Sequence, residues 1–350
     1  MFSSIRKIYR RILYSRYFVV GMKIPRLVRN LSAGPVIFDV FITAKGRSVC
    51  AIAPYFSKNA FLGSACSFDG SEARAVPVSF VEEPESSCLI ALYPIPEHME
   101  EAPVLGLSIR RKGKPIYEGL VRNIRIPPKK HLLSITTLIK YEAAFVPEWI
   151  EHHSKIGVEH FYIYDNNAAG GSSPIREAVG RYVQEGLVTY IPWPYPYRLY
   201  DYRLKPFWPE DAHFYTQISQ IHHAIYRFAH ETEWLLACDV DEYFHPARGG
   251  GIKASLESFR KAPAIQVSGY YVDGTADELR KAAEDGVVVS FKRREKEPTS
   301  PKKLIINTAE ARAVSIHEIL EGKPAIPISP TEIYFDHYRA LGWKKRLDGR

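Results

Sequence analysis

The sequence predicts an α/β protein, a mostly parallel sheet covered by helices, preceded by a small β-rich domain. From about residue 130 onward, apolar runs of strand length alternate with segments of helical period, the pattern of strand–helix–strand units. Before residue 128, short apolar runs follow one another between Gly, Pro and Ser with no helix-period segment, which suits an antiparallel sandwich. At 350 residues, 46% hydrophobic and 25% charged, the chain has a globular composition and enough length for one large or two ordinary domains.

Residues 1–30 carry Arg6, Lys7, Arg10, Arg11, Arg16, Lys23, Arg26 and Arg29 and no acid. The formal charge of the whole chain is +8, so all of it resides in this tail and the remainder is balanced. That argues against a basic nucleic-acid-binding face on the main body. Phe2, Ile5, Ile8, Tyr9, Ile12 and Leu13 fall at helical spacing among the basic residues. A basic amphipathic tail of this kind suits the headgroup layer of an anionic membrane; a helix packed on the protein or an unstructured start accounts for the pattern equally. No run of 18 apolar residues and no signal-peptide pattern occurs, so the expectation is a cytoplasmic enzyme, peripheral on the inner face of the cell membrane where the tail engages it. Cys50, Cys66, Cys88 and Cys238 show no C-x-x-C spacing. Zinc and a disulfide framework are not indicated, and a single pair among the first three stays open.

The β-rich domain is expected over 31–128. Val36–Ile42, Val76–Val81, Cys88–Leu92 and Val104–Ile109 read as strands, Lys112-Gly113-Lys114 as a hairpin turn, and Pro127-Pro128-Lys129-Lys130 as a linker. The second domain, 129–350, opens with strand Leu132–Leu138. Helix Val146–Ile156 follows, with Pro147 in its first turn and Gly157 past its end. His160–Tyr164 is a strand, Pro174–Gln184 a helix capped by Ser173 and ended by Gly186, and Leu187–Ile191 a strand. Ile218–Phe228 is helical with Ile218, Ile221, Ile225 and Phe228 inward, and Trp234–Val240 is a fourth strand.

Parallel α/β sheets bind ligands at the carboxyl ends of their strands. Three such ends are polar: Lys140-Tyr141-Glu142, Asp165-Asn166-Asn167 and Asp239-Val240-Asp241-Glu242. In an extended chain, residues two apart project to one side, so Asp239 and Asp241 are expected to converge on one hard cation, Mg²⁺ or Mn²⁺, that bridges to a substrate diphosphate. The plain alternative is an acidic turn that ends a strand. Asp165 has one too, as the cap of a turn; so does Glu142, as a surface partner of Lys140. Trp193, Tyr195, Tyr197, Tyr200, Tyr202, Phe207 and Trp208 form an aromatic stretch that serves equally as sugar-stacking acceptor loop or as packing.

Several blocks in order resemble glycosyltransferase family 92 and its bacterial relatives: Lys140-Tyr141-Glu142, Pro147 through His153, Gly157 through Asn167, Gln217, Trp234 through Phe244, Lys303-Leu304-Ile305, His317, and His337-Tyr338-Arg339. The resemblance covers roughly residues 132–340. It departs at 168–173, where acids usual in the family are missing, and at His222, near where an Asn is usual.

The resemblance implies a GT-A fold, a Rossmann-like and mostly parallel sheet. It implies a nucleotide-sugar donor, a UDP-sugar first, Mn²⁺ or Mg²⁺ as cofactor, and inverting transfer to a glycan or glycolipid acceptor. The lack of a signal or anchor pattern together with the basic tail adds the expectation of cell-surface polysaccharide synthesis at the cytoplasmic face. Lys140, Glu142, Asp165, Asn167, Gln217 and Asp239 become the donor-side candidates. Asp239, Asp241 and His317 become the metal candidates; His317 and His337 also read as partly buried histidines. Inversion needs a general base within reach of the acceptor hydroxyl, for which Asp273 is the first candidate, ahead of Glu318 and Asp336. A carboxylate pair with Mg²⁺ also suits nucleotidyl transfer, but Ala143-Ala144-Phe145 offers no phosphate-cradling glycine loop. A decayed, carbohydrate-binding scaffold is the non-enzymatic alternative.

Overall fold

A computed structural model describes residues 37–45, 47–54, 58–68, 71–74, 76–80, 88–123, 129–140, 142–167, 173–195, 215–246, 251–285 and 293–338. The basic tail, Pro127 and Pro128, Tyr141, residues 168–172, the aromatics Tyr197, Tyr200, Tyr202, Phe207 and Trp208, and Arg339 lie outside the described residues.

The first part is built of β1 (Asp39–Thr43), β2 (Ser48–Pro54), β3 (Ala65–Phe68), β4 (Ser71–Arg74), β5 (Val76–Phe80), β6 (Cys88–Pro94), β7 (Val104–Arg111) and β8 (Lys114–Arg122). They form two four-stranded antiparallel sheets, ordered β1-β2-β6-β5 and β4-β3-β7-β8. Alternation sorts their side chains: Val40, Val49, Ala51, Leu89 and Tyr93 meet Cys66, Phe68, Leu105 and Ile109 in one core. The β7–β8 hairpin turns at Lys112 and Gly113, both at positive φ, 48° and 77°, the twist that a two-residue hairpin requires. Strand β2 is buried along its whole length. Its opposite residues Cys50 and Ile52, with Phe41, Cys88 and Ile90, enter a second core shared with the α/β part. All four cysteines are buried, unpaired thiols, and burial pushes Cys66 and Cys88 up to about 12.

The α/β part contains β9 (His131–Ile139), α1 (Val146–Lys155), β10 (His160–Asp165), α2 (Pro174–Gln184), β11 (Val188–Pro192), α3 (Tyr215–Arg227), β12 (Thr232–Ala237), β13 (Glu242–Pro246), α4 (Gly251–Leu256), β14 (Ala264–Asp273), α5 (Ala276–Asp285), β15 (Arg293–Arg294), β16 (Ser300–Asn307), β17 (Ala313–Val314), β18 (Ile319–Glu321), β19 (Ile326–Pro327) and β20 (Ile333–Tyr338). Its ten-stranded sheet runs β11-β10-β9-β12-β16-β14-β20-β13, with β15 and β19 beside β14. The first four strands are parallel, as are β14–β20 and β14–β19, whereas β12–β16, β16–β14, β14–β15 and β20–β13 are antiparallel. The expectation of a mostly parallel sheet therefore gives way to a mixed one. The helix-period segments that signal crossovers thin out after residue 228, and returning strands take their place.

Helices α1 and α2 cover one face through Val146, Trp149, Ile150, Ile175, Val179 and Tyr182. Ser173 caps α2 by accepting from Ile175 N–H. Helix α3 covers the other face with Ile218, Ile221 and Ile225, each burial worth about 1.5–3 kcal/mol. The first sheet then closes over α3. Thr43 donates its hydroxyl to Tyr226 O at 2.7 Å, and Asp39 meets His223 at 3.0 Å. Trp193 and Tyr195 pack there too, Tyr195 donating to Phe38 O at 2.7 Å, so these two members of the aromatic stretch serve packing. At Gly269 a Cβ would lie 2.2 Å from the Phe335 ring, and glycine alone lets β20 lie against β14 there. Among the described residues no helix is long and apolar enough to cross a membrane.

His222 on α3 is fully buried; its Nδ1 lies 2.8 Å from Ile218 O, and its Nε2 accepts from Val314 N–H at 3.1 Å. The Nε2 contact requires the neutral ring, and burial lowers its pKa to about 4. Because the folded value lies below the unfolded one, this stability is complete above pH 6.5 and is lost as pH falls toward 4. Urea melts of the wild type should lose stability from pH 7.5 to 4.5. The loss should be about 2–3 kcal/mol smaller in His222→Gln; equal losses in both proteins would remove His222 from the account.

Candidate functional site

The carboxyl ends of β9, β10 and β12 lie at one edge of the sheet, since Ile139 pairs in register with Asp165 and Thr136 with Ala237. Strand β12 ends at Ala237, earlier than expected, and a turn follows over 239–242. Glu242 N–H donates to Asp239 O at 3.1 Å, and the Glu242 carboxylate accepts from Asp239 N–H at 2.9 Å. The turn sends the two aspartates to different partners. Asp239 accepts from Gln217 Nε2 at 3.0 Å and from Lys303 Nζ at 2.8 Å. Asp241 faces His337, with Nε2 at 3.5 Å from Oδ2.

Glu242 opens β13 directly opposite His337 on β20. It is 1% exposed, and its Oε2 lies 3.0 Å from Lys303 Nζ. Its Oε1 is a buried oxygen without a hydrogen-bond partner, 3.7 Å from His337 Nδ1. Ser300 Oγ holds that same Nδ1 at 2.9 Å. One ligand atom each of Asp241, Glu242 and His337 lies within 4.8 Å of the others.

The electrostatics follow from burial set against pairing. Burial works to raise Asp239, but the adjacent Lys303 ammonium outweighs it and holds the carboxyl below its usual value. Burial also works against the Lys303 charge, and Asp239 with Glu242 overcome it and raise that pKa. Glu242 is pushed up to about 7, chiefly by burial, which Lys303 offsets only in part. His337 is raised despite burial, because Asp241 and Glu242 favour its charged form.

A polar pocket opens beside this group, lined by Thr137, Gln217, Gln220, Asp239, Lys303 and Ile316. The Thr137 hydroxyl is buried there without a partner, an acceptor and donor available to a ligand.

The sequence profile of glycosyltransferase family 92 matches residues 129–349. The chain belongs to glycosyltransferase family 92. It is 24% identical over 232 residues to a family 92 protein of Oryza sativa subsp. japonica, covering 63% of this chain and 36% of that protein. It is 23% identical over 263 residues to one of Ricinus communis, covering 68% and 42%. To one of Arabidopsis thaliana it is 24% identical over 289 residues, covering 77% and 45%. The chain thus spans less than half the length of these relatives.

In this family 92 chain the other site residues are distributed unevenly. Asp165 is fully buried and both its oxygens are engaged, by Asn167 N–H at 2.7 Å and the Tyr190 hydroxyl at 2.6 Å. Asn167 donates its amide to Lys140 O, and Glu142 accepts from Lys140 N–H at 3.4 Å. These four therefore form a linked turn at the edge of β9 and β10. His317 is not in the group with Asp241: its Nδ1 lies 2.6 Å from Lys302 O, and burial followed by Lys303 lowers its pKa. Asp273 ends β14 and is exposed; Tyr271, two residues before it, lies against His337 with ring centroids 5.1 Å apart. Glu318 is exposed in the 315–318 turn. Asp336 points to the opposite face of β20 from His337, 3.3 Å from His245.

Glu242, Lys303 and Ser300 are site members that sequence reasoning did not assign. Lys303 had a signal: it opens the apolar run Leu304-Ile305-Ile306, and a lysine at a buried strand position needs acidic partners. Ser300 offered none.

Proposed function

We propose that this chain transfers a sugar from a nucleoside-diphosphate donor, a UDP-sugar first, to a glycan or glycolipid hydroxyl with the help of Mn²⁺ or Mg²⁺. The observation that carries this reading is the joining of Asp241 and His337 at the carboxyl edge of the parallel strands, beside a polar pocket. Membership in family 92 supports the same reaction class.

The residues present fit a hard divalent cation. Carboxylates and an imidazole supply its donor atoms, and the partnerless Glu242 Oε1 is an oxygen such an ion would satisfy. Asp241 and His337 would hold it. When bound, the ion supplies neutralisation of charge developing on the departing diphosphate. Gln217 and Thr137, which line the small pocket beside the group, face the donor. Donor positioning is also assigned to the linked turn of Lys140, Glu142, Asp165 and Asn167. Asp273 takes the proton from the acceptor hydroxyl as that oxygen attacks the anomeric carbon from the face opposite the leaving group, so the transfer inverts. Residues 31–128 brace α3 and present the acceptor, and the basic tail holds the enzyme at an anionic membrane surface, on the cytoplasmic side.

A panel of nucleotide sugars tested for hydrolysis with Mn²⁺ and with EDTA checks the proposal. One donor, a UDP-sugar, should release UDP only with the cation. Absence of cation-dependent release from every donor would favour a carbohydrate-binding scaffold.

A further inference from the structure

We propose that Glu242, and not Asp239, joins Asp241 and His337 as the third protein ligand of the cation, while Lys303 reserves Asp239 as an acceptor facing the donor. This rests on the cation-assisted reading above and assigns its ligands.

Geometry favours Glu242. Ligand atoms about 2.1 Å from an octahedral ion lie roughly 3–4 Å from one another. Asp241 Oδ2 stands 3.5 Å from His337 Nε2, and one ligand atom each of Asp241, Glu242 and His337 lies within 4.8 Å of the others. Asp239 is absent from that convergent group.

Oxygen accounting separates the two acids further. Both oxygens of Asp239 are taken, Oδ1 by the Gln217 amide and Oδ2 by the Lys303 ammonium at 2.8 Å. A divalent ion approaching Oδ2 would meet that ammonium at contact range, where like charges repel strongly. Glu242 is the reverse case. Its Oε2 is taken by Lys303 and by Asp239 N–H, and its Oε1, in a side chain 99% buried, has no donor. A buried carboxylate oxygen left in that state is costly, and a cation between Asp241 and His337 would meet the need.

Charge balance agrees. Lys303 pairs with Asp239 and Glu242, and Asp241 joins Glu242 in the same group, paired among the described residues with His337 and not with an ammonium. With a neutral His337 the group is short by two positive charges, the charge of the ion. A neutral ring that donates Nδ1–H to Ser300 Oγ turns its Nε2 lone pair toward Asp241.

Mn²⁺ alone, titrated into the full chain and followed by electron paramagnetic resonance, tests this without any turnover. Wild type should bind. Glu242→Gln should weaken binding by at least about tenfold, and Asp239→Asn should leave it within about threefold. Nitrogen coupling from His337 should appear in the wild-type spectrum and vanish in His337→Ala. Unchanged Mn²⁺ affinity in Glu242→Gln, or a tenfold loss in Asp239→Asn, would overturn the ligand assignment alone. No Mn²⁺ binding by the wild type would overturn the cation-assisted reading itself. Should Glu242→Gln not fold, Glu242→Asp, which retracts the oxygen but keeps the charge beside Lys303, must show the same weakening.

Discussion

Asp241→Ala should lower cation-dependent kcat/KM by about 10³-fold, the factor that corresponds to ~4 kcal/mol of lost transition-state stabilisation. The side chain is 20% exposed and faces His337 across the group. The backbone carbonyl of residue 241, which accepts from Tyr338 N–H at 2.8 Å, survives the substitution. Removing one of three clustered carboxylates also relieves like-charge repulsion. The variant should therefore unfold within about 1 kcal/mol of the wild type while losing turnover. Steady-state kinetics with Mn²⁺, alongside urea melts, check both halves. Wild-type turnover in a well-folded variant would refute the cation role of Asp241. A collapse of stability together with activity would instead make Asp241 a structural residue.

Local periodicity made the parallel half of the sheet legible: His131–Ile139, Val146–Lys155, His160–Asp165 and Pro174–Gln184 lie where apolar spacing and caps put them. The reversed direction of β16 between β12 and β14, and of β13 beside β20, was not legible, because strand direction depends on contacts far away in sequence. The same limit governs the site. Asp239 and Asp241 could be singled out because they follow an apolar strand, but the extended-chain premise failed once the strand ended at Ala237. Which acid meets which base was decided by Lys303 and His337, on strands more than sixty residues later. Ser300, which steadies His337, has no sequence mark at all.

The dependence on Lys303 can be measured directly. Lys303 is 5% exposed and is the cation bonded to both Asp239 and Glu242. Taking one partner out of a buried ionic group leaves the others desolvated and uncompensated, at a cost of about 3–5 kcal/mol. Lys303→Met, which keeps the bulk of the stem, should therefore lose that much stability in urea melts at neutral pH. Adding Glu242→Gln removes one stranded carboxylate, so the double variant should recover at least half of the loss, a non-additivity expected of residues in one network. A divalent ion that binds the folded group supplies positive charge in the same place. Mn²⁺ should then stabilise Lys303→Met more than it stabilises the wild type, in proportion to its tighter binding. If Lys303→Met loses less than about 1 kcal/mol, the ammonium does not hold the carboxylates together. Asp239 would then be available to the cation, and the division of labour between Asp239 and Glu242 would have no physical basis.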